Sequence, residues 1–388
     1  MNGAERAYLD YNATAPLRAE AARALVAALE RVGNASSVHA EGRAARAALE
    51  AARAEVAALV EADPAAVIFT SGGSEANALV LAPGFARPGE TGAEVLLVGA
   101  GEHPCVLDGH RFPADAVERI PLDARGLADL AWLEARLSAL GSRRALVSLQ
   151  LANNETGVVQ PVAEAARIAR AHGALMHTDA VQAPGRIPVS IRALGVDALT
   201  LSAHKIGGPQ GAGALVTASE GYALDRLIRG GGQERGLRAG TENVPGVVGF
   251  GAAARAARAA FAEEQARLAR LGAAFAAAIR ERAPDAVIFG EGAPRLPNTI
   301  LFAVPGLKAE TALIAFDLGG VALSSGSACS SGKVRRSHVL DTMGVDPALA
   351  DGALRLSCGY ATREEEVIRF ASVLESIEAR RARRSRAA

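Results

Sequence analysis

Three segments of this 388-residue chain carry side chains that could act together on one small ligand. Lys205 follows the apolar run 198–202 and precedes a glycine-rich turn, so its amine is presented at the end of a predicted strand. Asp179 ends a second apolar run. Segment 70–75, Thr-Ser-Gly-Gly-Ser-Glu, joins a third predicted strand to a helix, whose first amides are unpaired donors that can bind a phosphate.

A lysine amine, a buried acid and a phosphate-binding turn are the parts that a pyridoxal phosphate site requires. The lysine binds the cofactor covalently, and the acid holds a proton on the pyridine nitrogen. Ser74 could instead be a plain helix cap. Gln182, close after Asp179, could hydrogen-bond the ring hydroxyl, and His103 could stack on the ring or belong to a surface loop. Together these residues predict a pyridoxal phosphate site.

The cysteines differ in their surroundings. Cys329 lies in segment 323–332, which is small and polar and predicts a mobile loop with an exposed thiol that could attack a bound substrate; a tolerated surface cysteine is the alternative. Strand alternation puts Cys358 on an apolar core face. Arg355 points the other way, where it could clamp a substrate carboxylate or form an ordinary ion pair. Cys105 is predicted to pack near His103.

The elements around these residues alternate between short apolar runs and longer Ala/Leu/Arg stretches. This alternation predicts an α/β fold with a mostly parallel sheet covered on both faces. A long helix at about 247–280 and then shorter strands predict a smaller α+β domain. We expect a large domain over residues 15–260 and a small domain from residues 1–14 and 261–388, which carries Cys329.

Composition limits the classes of function. Lys plus Arg and Asp plus Glu both number 42, which predicts no nucleic-acid or anionic-lipid partner. No signal-peptide core or apolar run of about 20 residues is present, so we expect a cytoplasmic protein without a membrane anchor. Three cysteines, widely spaced, predict neither a disulfide framework nor a zinc cluster. The Arg-rich tail 380–386 reads as a solvated helix end.

Several motifs, in order, resemble the cysteine desulfurases of the NifS/IscS branch, within the class-V aminotransferase family of pyridoxal phosphate enzymes. The resemblance runs from about residue 8 to residue 370. Its motifs are YLDYNATAP at 8–16, GNASSVH at 33–39, NNETG at 153–157, SAHK at 202–205, GGGQERGLRAGT at 230–241 and SSGSAC at 324–329. It implies a fold-type I enzyme and a homodimer whose two active sites lie at the subunit interface.

The resemblance also implies roles by motif. Lys205 would bind the cofactor covalently, Asp179 would pair with the pyridine nitrogen, and His103 would stack on the ring and accept a proton. Gln182 and Asn154 would bond the ring hydroxyl region or the substrate. The residues that would hold the phosphate are Gly73, Ser74, Ser202, His204 and, from the neighbouring subunit, Thr241. Those that would bind the substrate carboxylate are Arg355 with Asn34 or Asn154.

The implied reaction removes sulfur from L-cysteine, giving L-alanine and a persulfide on Cys329. The sulfur would pass to an acceptor such as an iron–sulfur scaffold or a thiolation protein. A selenocysteine lyase or another aminotransferase-like enzyme is an alternative, and a cofactor-binding scaffold without turnover is a third. An aminotransferase needs no thiol, so a requirement for Cys329 would distinguish a cysteine desulfurase from an aminotransferase.

Overall fold

The computed structural model describes residues 6–326 and 336–387, with side chains through residue 383. Its largest element is a seven-stranded sheet. Five neighbouring strands are parallel, and one strand runs antiparallel to both of its neighbours. The spatial order is Val67–Thr70, Gly213–Thr217, Ala198–Ser202, Leu175–Asp179, Ala145–Ser148, Val95–Gly99 and Val117–Ile120. The predicted fold class, with its mostly parallel sheet, is confirmed.

Helices cover both faces of this sheet, which is why its central strands are buried along their whole length rather than on alternate residues. All five residues of Leu175–Asp179 and of Ala198–Ser202 are buried. The helices of this part are Ala19–Leu29, Ala40–Leu59, Gly73–Val80, Pro104–Leu107, Leu130–Ala139, Val162–Ala171, Ile191–Leu194 and Val244–Ala259. In the part of the chain that the structure describes, no helix is long and apolar enough to cross a bilayer.

A second core lies around a four-stranded antiparallel sheet with the order Ser324–Ser325, Leu354–Ser357, Thr299–Ala303 and Val287–Ile288. Ala7–Tyr8 pairs in parallel with Val321–Ala322 beside it. Cys358 is fully buried in this core, as the alternation predicts. The helices of this part are Phe261–Arg282, Ala309–Leu318, His338–Thr342, Pro347–Ala350 and Glu364–Ala387. The domain boundaries given above remain predictions.

The prediction of a single long helix at about 247–280 is wrong. The structure has two helices, Val244–Ala259 and Phe261–Arg282, which meet at Ala260. The first buries Phe250 in the core of the large sheet, and the second buries Phe275 in the core of the small sheet. Since neither glycine nor proline stands at the junction, packing on two separate cores accounts for the break, and local sequence does not signal it.

Candidate active site

A cavity of about 270 Å³ opens at the carboxyl edge of the large sheet. Ligands bind at this edge in open α/β sheets, because the parallel strands deliver their following loops to one side. Asp179 and Ser202 are the last residues of their strands. Nine of the predicted site residues line the cavity: Gly73, Ser74, His103, Asn154, Asp179, Gln182, Ser202, His204 and Lys205.

Lys205 ends a single 3-10 turn, Ala203–Lys205, that directly follows the strand. Its Nζ donates to the backbone oxygens of Asn12 and, at 2.9 Å, of Ala13. The N-terminal motif thus holds the amine at the cavity wall, although the two segments are almost 200 residues apart. Asn12 binds the Lys205 amine through its backbone carbonyl, so side-chain types alone could not have identified Asn12 as part of the site.

Asp179 is buried, and both of its carboxylate oxygens have donors. Asn77 Nδ2 donates at 2.7 Å and the Val181 amide at 2.9 Å. The Asn77 oxygen accepts from Thr200 Oγ1 at 2.8 Å, which fixes the orientation of the amide. Sequence reasoning missed Asn77, and the available signal was a polar side chain followed by the apolar residues Ala78, Leu79 and Val80, one turn into the helix after the phosphate-binding turn.

The start of helix Gly73–Val80 also lines the cavity, through Gly73 and Ser74. Among the described residues no side chain caps this helix, so its first amides and the positive end of its dipole face the cavity. A Cβ at Gly73 would lie 2.9 Å from Val181 Cγ2, so glycine permits the close approach of the turn to the strand ends. His204 bonds Thr14 Oγ1 through Nδ1 at 3.2 Å. Burial and the Lys205 charge lower the pKa of His204 to about 4, so the ring is neutral at pH 7.

His103 is half-buried, and its Nδ1 accepts from the Cys105 amide at 3.1 Å. Burial lowers the pKa of His103, the Lys205 charge acts in the same direction, and Asp179 opposes both. The ring is therefore mainly neutral at pH 7, and a proton taken up at Nδ1 would replace the bond from the Cys105 amide. Cys105 lines the cavity as well as packing, and burial raises the pKa of its thiol to about 12, so it is protonated and a poor nucleophile.

Gln182 lines the cavity, but protein groups occupy both ends of its amide. Nε2 donates to the Asn12 backbone oxygen at 3.1 Å, and Oε1 accepts from the Arg186 guanidinium. Arg186 also donates to the Gln182 backbone oxygen at 2.9 Å. The predicted bond from Gln182 to a ring hydroxyl would require this amide to share or exchange a partner, and it stays a prediction.

Arg355 and Asn34 do not line this cavity. Arg355 lies opposite the apolar core face of its strand, as the alternation predicts, but it is only 2% exposed because the strand Leu354–Ser357 is buried on both faces. Its guanidinium pairs with Asp10 at 2.8 Å and donates to the Asn154 backbone oxygen at 3.1 Å. Asn34 is exposed and caps a turn by accepting from the Ser36 amide. Their binding of a substrate carboxylate stays a prediction.

Thr241 lines a separate cavity of about 220 Å³ that shares no residue with the first. The preceding glycine-rich segment is held there by Glu234, whose backbone has a φ of +45°. The Glu234 carboxylate forms two 2.7 Å bonds with the buried Arg53 and accepts from the Phe69 amide at 2.9 Å. This geometry fixes Thr241 on a surface apart from its own chain's cavity. Cys329 lies outside the described residues.

The lined cavity fits pyridoxal phosphate. One end has an uncapped helix start with hydroxyl and neutral imidazole groups, which suits a phosphate dianion. Another wall carries an ionisable carboxylate oriented by two donors, which suits a protonated pyridine nitrogen. One lysine amine, that of Lys205, lines the same cavity.

This fold and site define a class of protein, and comparison with known sequences agrees. The sequence pattern of the aminotransferase class-V family matches residues 7–370. The chain belongs to this family. Enzymes of the family depend on pyridoxal phosphate.

Within this family, the chain is similar to cysteine desulfurases and to NifS-like proteins. The chain is 42% identical over 379 residues to the cysteine desulfurase of Cereibacter sphaeroides, covering 96% of each chain. It is 40% identical over 374 residues to the cysteine desulfurase IscS of Dictyoglomus turgidum, covering 95% of this chain and 94% of the relative. The solved structure of a NifS-like protein from Rickettsia africae superposes with a TM-score of 0.88 at 33% identity, covering 97% of this chain and all of that one.

Proposed function

We propose that this protein is a pyridoxal phosphate-dependent cysteine desulfurase. It takes the sulfur of L-cysteine, releases L-alanine and leaves a persulfide on Cys329. The observation that carries the proposal is the convergence of Lys205, Asp179 and the start of helix Gly73–Val80 on one cavity. The match to cysteine desulfurases over nearly the whole chain supports the same activity.

The cavity residues would hold the cofactor at three points. Lys205 would bind it covalently, and Asp179, oriented by its two donors, would pair with the protonated pyridine nitrogen. The phosphate would lie against Gly73, Ser74, Ser202 and His204. When bound, pyridoxal phosphate supplies an electron sink that stabilises negative charge at the substrate Cα.

Two groups would move protons. Once displaced from the cofactor, the Lys205 amine is positioned to take the Cα proton. His103 would accept the proton of a thiol at Nδ1, in place of the Cys105 amide bond; burial lowers its pKa, which keeps the ring unprotonated at pH 7 although it weakens the ring as a base. Nucleophilic attack by Cys329 requires the thiolate form, so such an acceptor serves the reaction directly.

The sulfur transfer balances without an external oxidant. The Cys329 sulfur forms a bond to the substrate sulfur as the substrate C–S bond breaks, and the three-carbon product takes up protons to become alanine. A selenocysteine lyase would perform the same chemistry on selenium, and an aminotransferase would not use Cys329. We propose the cytoplasm as the compartment and a protein such as an iron–sulfur scaffold as the sulfur acceptor.

The test is intact-mass measurement of the holoenzyme after incubation with L-cysteine. We expect one added sulfur, mapped to Cys329 by peptide analysis, together with an equal amount of L-alanine in the first turnover. Pyruvate or a new amino acid formed by amino-group exchange, without added sulfur, would contradict the proposal. Alanine formation from L-selenocysteine is measured in parallel, because a selenocysteine lyase would act on L-selenocysteine in preference to L-cysteine.

We further propose a homodimer in which Thr241 of one subunit reaches the phosphate end of the other subunit's cavity. The separation of Thr241 from its own cavity supports this arrangement. Segment 17–38 also leaves five large apolar side chains exposed, a cost that a partner surface would remove. Their exposures are Leu17 46%, Val26 51%, Leu29 64%, Val32 84% and Val38 87%.

Light scattering is expected to give twice the 39.7 kDa mass of one chain. Thr241→Ala should weaken cofactor retention during dialysis without changing that mass. A monomer that is fully active and retains its cofactor would contradict the homodimer.

A further inference from the structure

Two residues shortly after segment 327–335 are hydrogen-bonded to chain neighbours of residues that line the candidate active site. Ser337 Oγ donates to Glu155 Oε2, and His338 Nε2 donates to the Glu102 backbone oxygen at 2.8 Å. Each acceptor is a direct chain neighbour of a cavity residue, because Glu155 follows Asn154 and Glu102 precedes His103. We call Glu155, Ser337 and His338 the stem cluster.

The stem cluster also touches the other side of the same segment. A Cβ at Gly326 would lie 2.7 Å from Glu155 Oε2, so only glycine permits this approach without displacing the carboxyl. One carboxyl thus contacts the residues on both sides of segment 327–335. Glu155 and Ser337 are 3% and 2% exposed, which shields their bond from water.

Ser337 has a second role that orders the chain after it. It caps the helix His338–Thr342, because its Oγ accepts from the Leu340 amide at 3.2 Å. A hydroxyl that accepts at one lone pair and donates at its proton is fixed in direction. The helix start and Glu155, the chain neighbour of the cavity residue Asn154, are therefore joined by one oriented hydroxyl group.

The charge on Glu155 is adjustable near neutral pH. Burial raises its pKa to about 7, against the opposing effects of the Ser337 bond and the Arg355 charge. Arg355, from strand Leu354–Ser357, is the charged side chain among the described residues that acts on this carboxyl, and it is itself paired with Asp10. Ionised, Glu155 is the stronger acceptor for Ser337, because charge-assisted hydrogen bonds exceed neutral ones.

We propose that the stem cluster is a set of positioning residues that holds residues 326 and 336–340 in register with His103 and Asn154. The inference rests on the proposed function, in which the intervening segment brings Cys329 to the substrate. Misplacement of a reacting group by about 1 Å can cost roughly a hundredfold in rate, so anchoring of both flanks directly controls the transfer step. None of the three residues lines the cavity, so they act through their neighbours.

The first test removes the hydroxyl. Ser337→Ala is expected to lower the kcat for alanine formation about tenfold, the value of one charged hydrogen bond, with KM and cofactor absorbance unchanged. Ser337→Thr keeps the hydroxyl and should restore most of the rate. The matched control is Ser190→Ala, which removes the cap of another short helix, Ile191–Leu194, also bonded at 3.2 Å, and should leave kcat unchanged.

The second test uses pH. In the wild type, kcat should rise as the pH increases through about 7, where Glu155 ionises and tightens its bond to Ser337. Glu155→Gln keeps the shape and an acceptor oxygen but cannot ionise. The kcat of this variant should not rise through pH 7 and should stay near the value that the wild type has at low pH.

Three results would overturn the inference. The first is an equal loss of kcat in Ser337→Thr and Ser337→Ala, and the second is a change in either variant that is confined to KM or cofactor content. The third is a Glu155→Gln variant whose kcat still rises with pH through about 7, as in the wild type. If the wild type forms neither alanine nor added sulfur, the proposed function fails separately. The cluster is then tested by a double-mutant cycle of Glu155→Leu and Ser337→Ala in thermal unfolding. Non-additive shifts support the bonded pair, and additive shifts overturn it.

Discussion

Replacement of Cys329 by alanine is expected to reduce alanine formation from L-cysteine by on the order of 10³-fold or more, because no other described thiol can serve as nucleophile. Cys105 has a pKa of about 12. Cys358 is fully buried, and burial likewise raises its pKa to about 12. The variant should bind the cofactor with unchanged absorbance, since Lys205 and Asp179 are intact.

The measurement pairs single-turnover alanine formation with intact mass. Cys329→Ala should show neither alanine nor added sulfur, although L-cysteine should still change the cofactor spectrum. Cys329→Ser, which keeps the size and polarity of the side chain but is a far weaker nucleophile, serves as the matched variant and should fail equally. Full retained activity in either variant would favour a lyase that needs no enzyme thiol.

Replacement of Lys205 by alanine should produce the other large loss, on the order of 10⁴-fold, since one amine provides both covalent cofactor attachment and the Cα proton acceptor. Lys205→Arg keeps the positive charge and the donors to Asn12 and Ala13 but can form no covalent link, so it should be as inactive as alanine.

Borohydride reduction followed by peptide mapping checks this prediction independently of turnover. The wild type should carry the cofactor mass on the peptide containing Lys205, and both variants should carry none. Thermal unfolding of the cofactor-free proteins is the control for folding. Covalent cofactor on another lysine, or a rate within about tenfold of the wild type, would contradict the assignment.

Asp179 shows which features of the site local sequence predicts. A carboxylate at the end of an apolar run is placed at the carboxyl edge of a parallel sheet by strand geometry alone, and Lys205 and Ser202 follow the same rule. The phosphate-binding turn is also local, because glycines permit the close approach and the helix start supplies its own donors. These placements need only strand ends and one turn, so periodicity and residue type identify them.

Arg355 shows what local sequence leaves open. Alternation places it opposite the apolar face of its strand but does not say what covers that side. In the structure that side is buried too, and Asp10, 345 positions earlier, pairs with the guanidinium. The break between the two helices at Ala260 also depends on tertiary packing, since the residues before it pack in the core of the large sheet and those after it pack in the core of the small sheet. Asn77 and Glu155 likewise obtain partners from distant segments, as does the Gln182 Nε2 donor, which binds Asn12.

The sequence by itself determined the α/β architecture, the strand-end positions of the acid and the lysine, and the phosphate-binding turn, because backbone periodicity and turn chemistry act over a few residues. Only the tertiary structure decided which donor orients Asp179, which groups occupy the Gln182 amide, and which carboxyl joins residues 326 and 337. Those contacts depend on how separately formed layers pack, and burial then obliges each polar group to find a partner that no local pattern specifies.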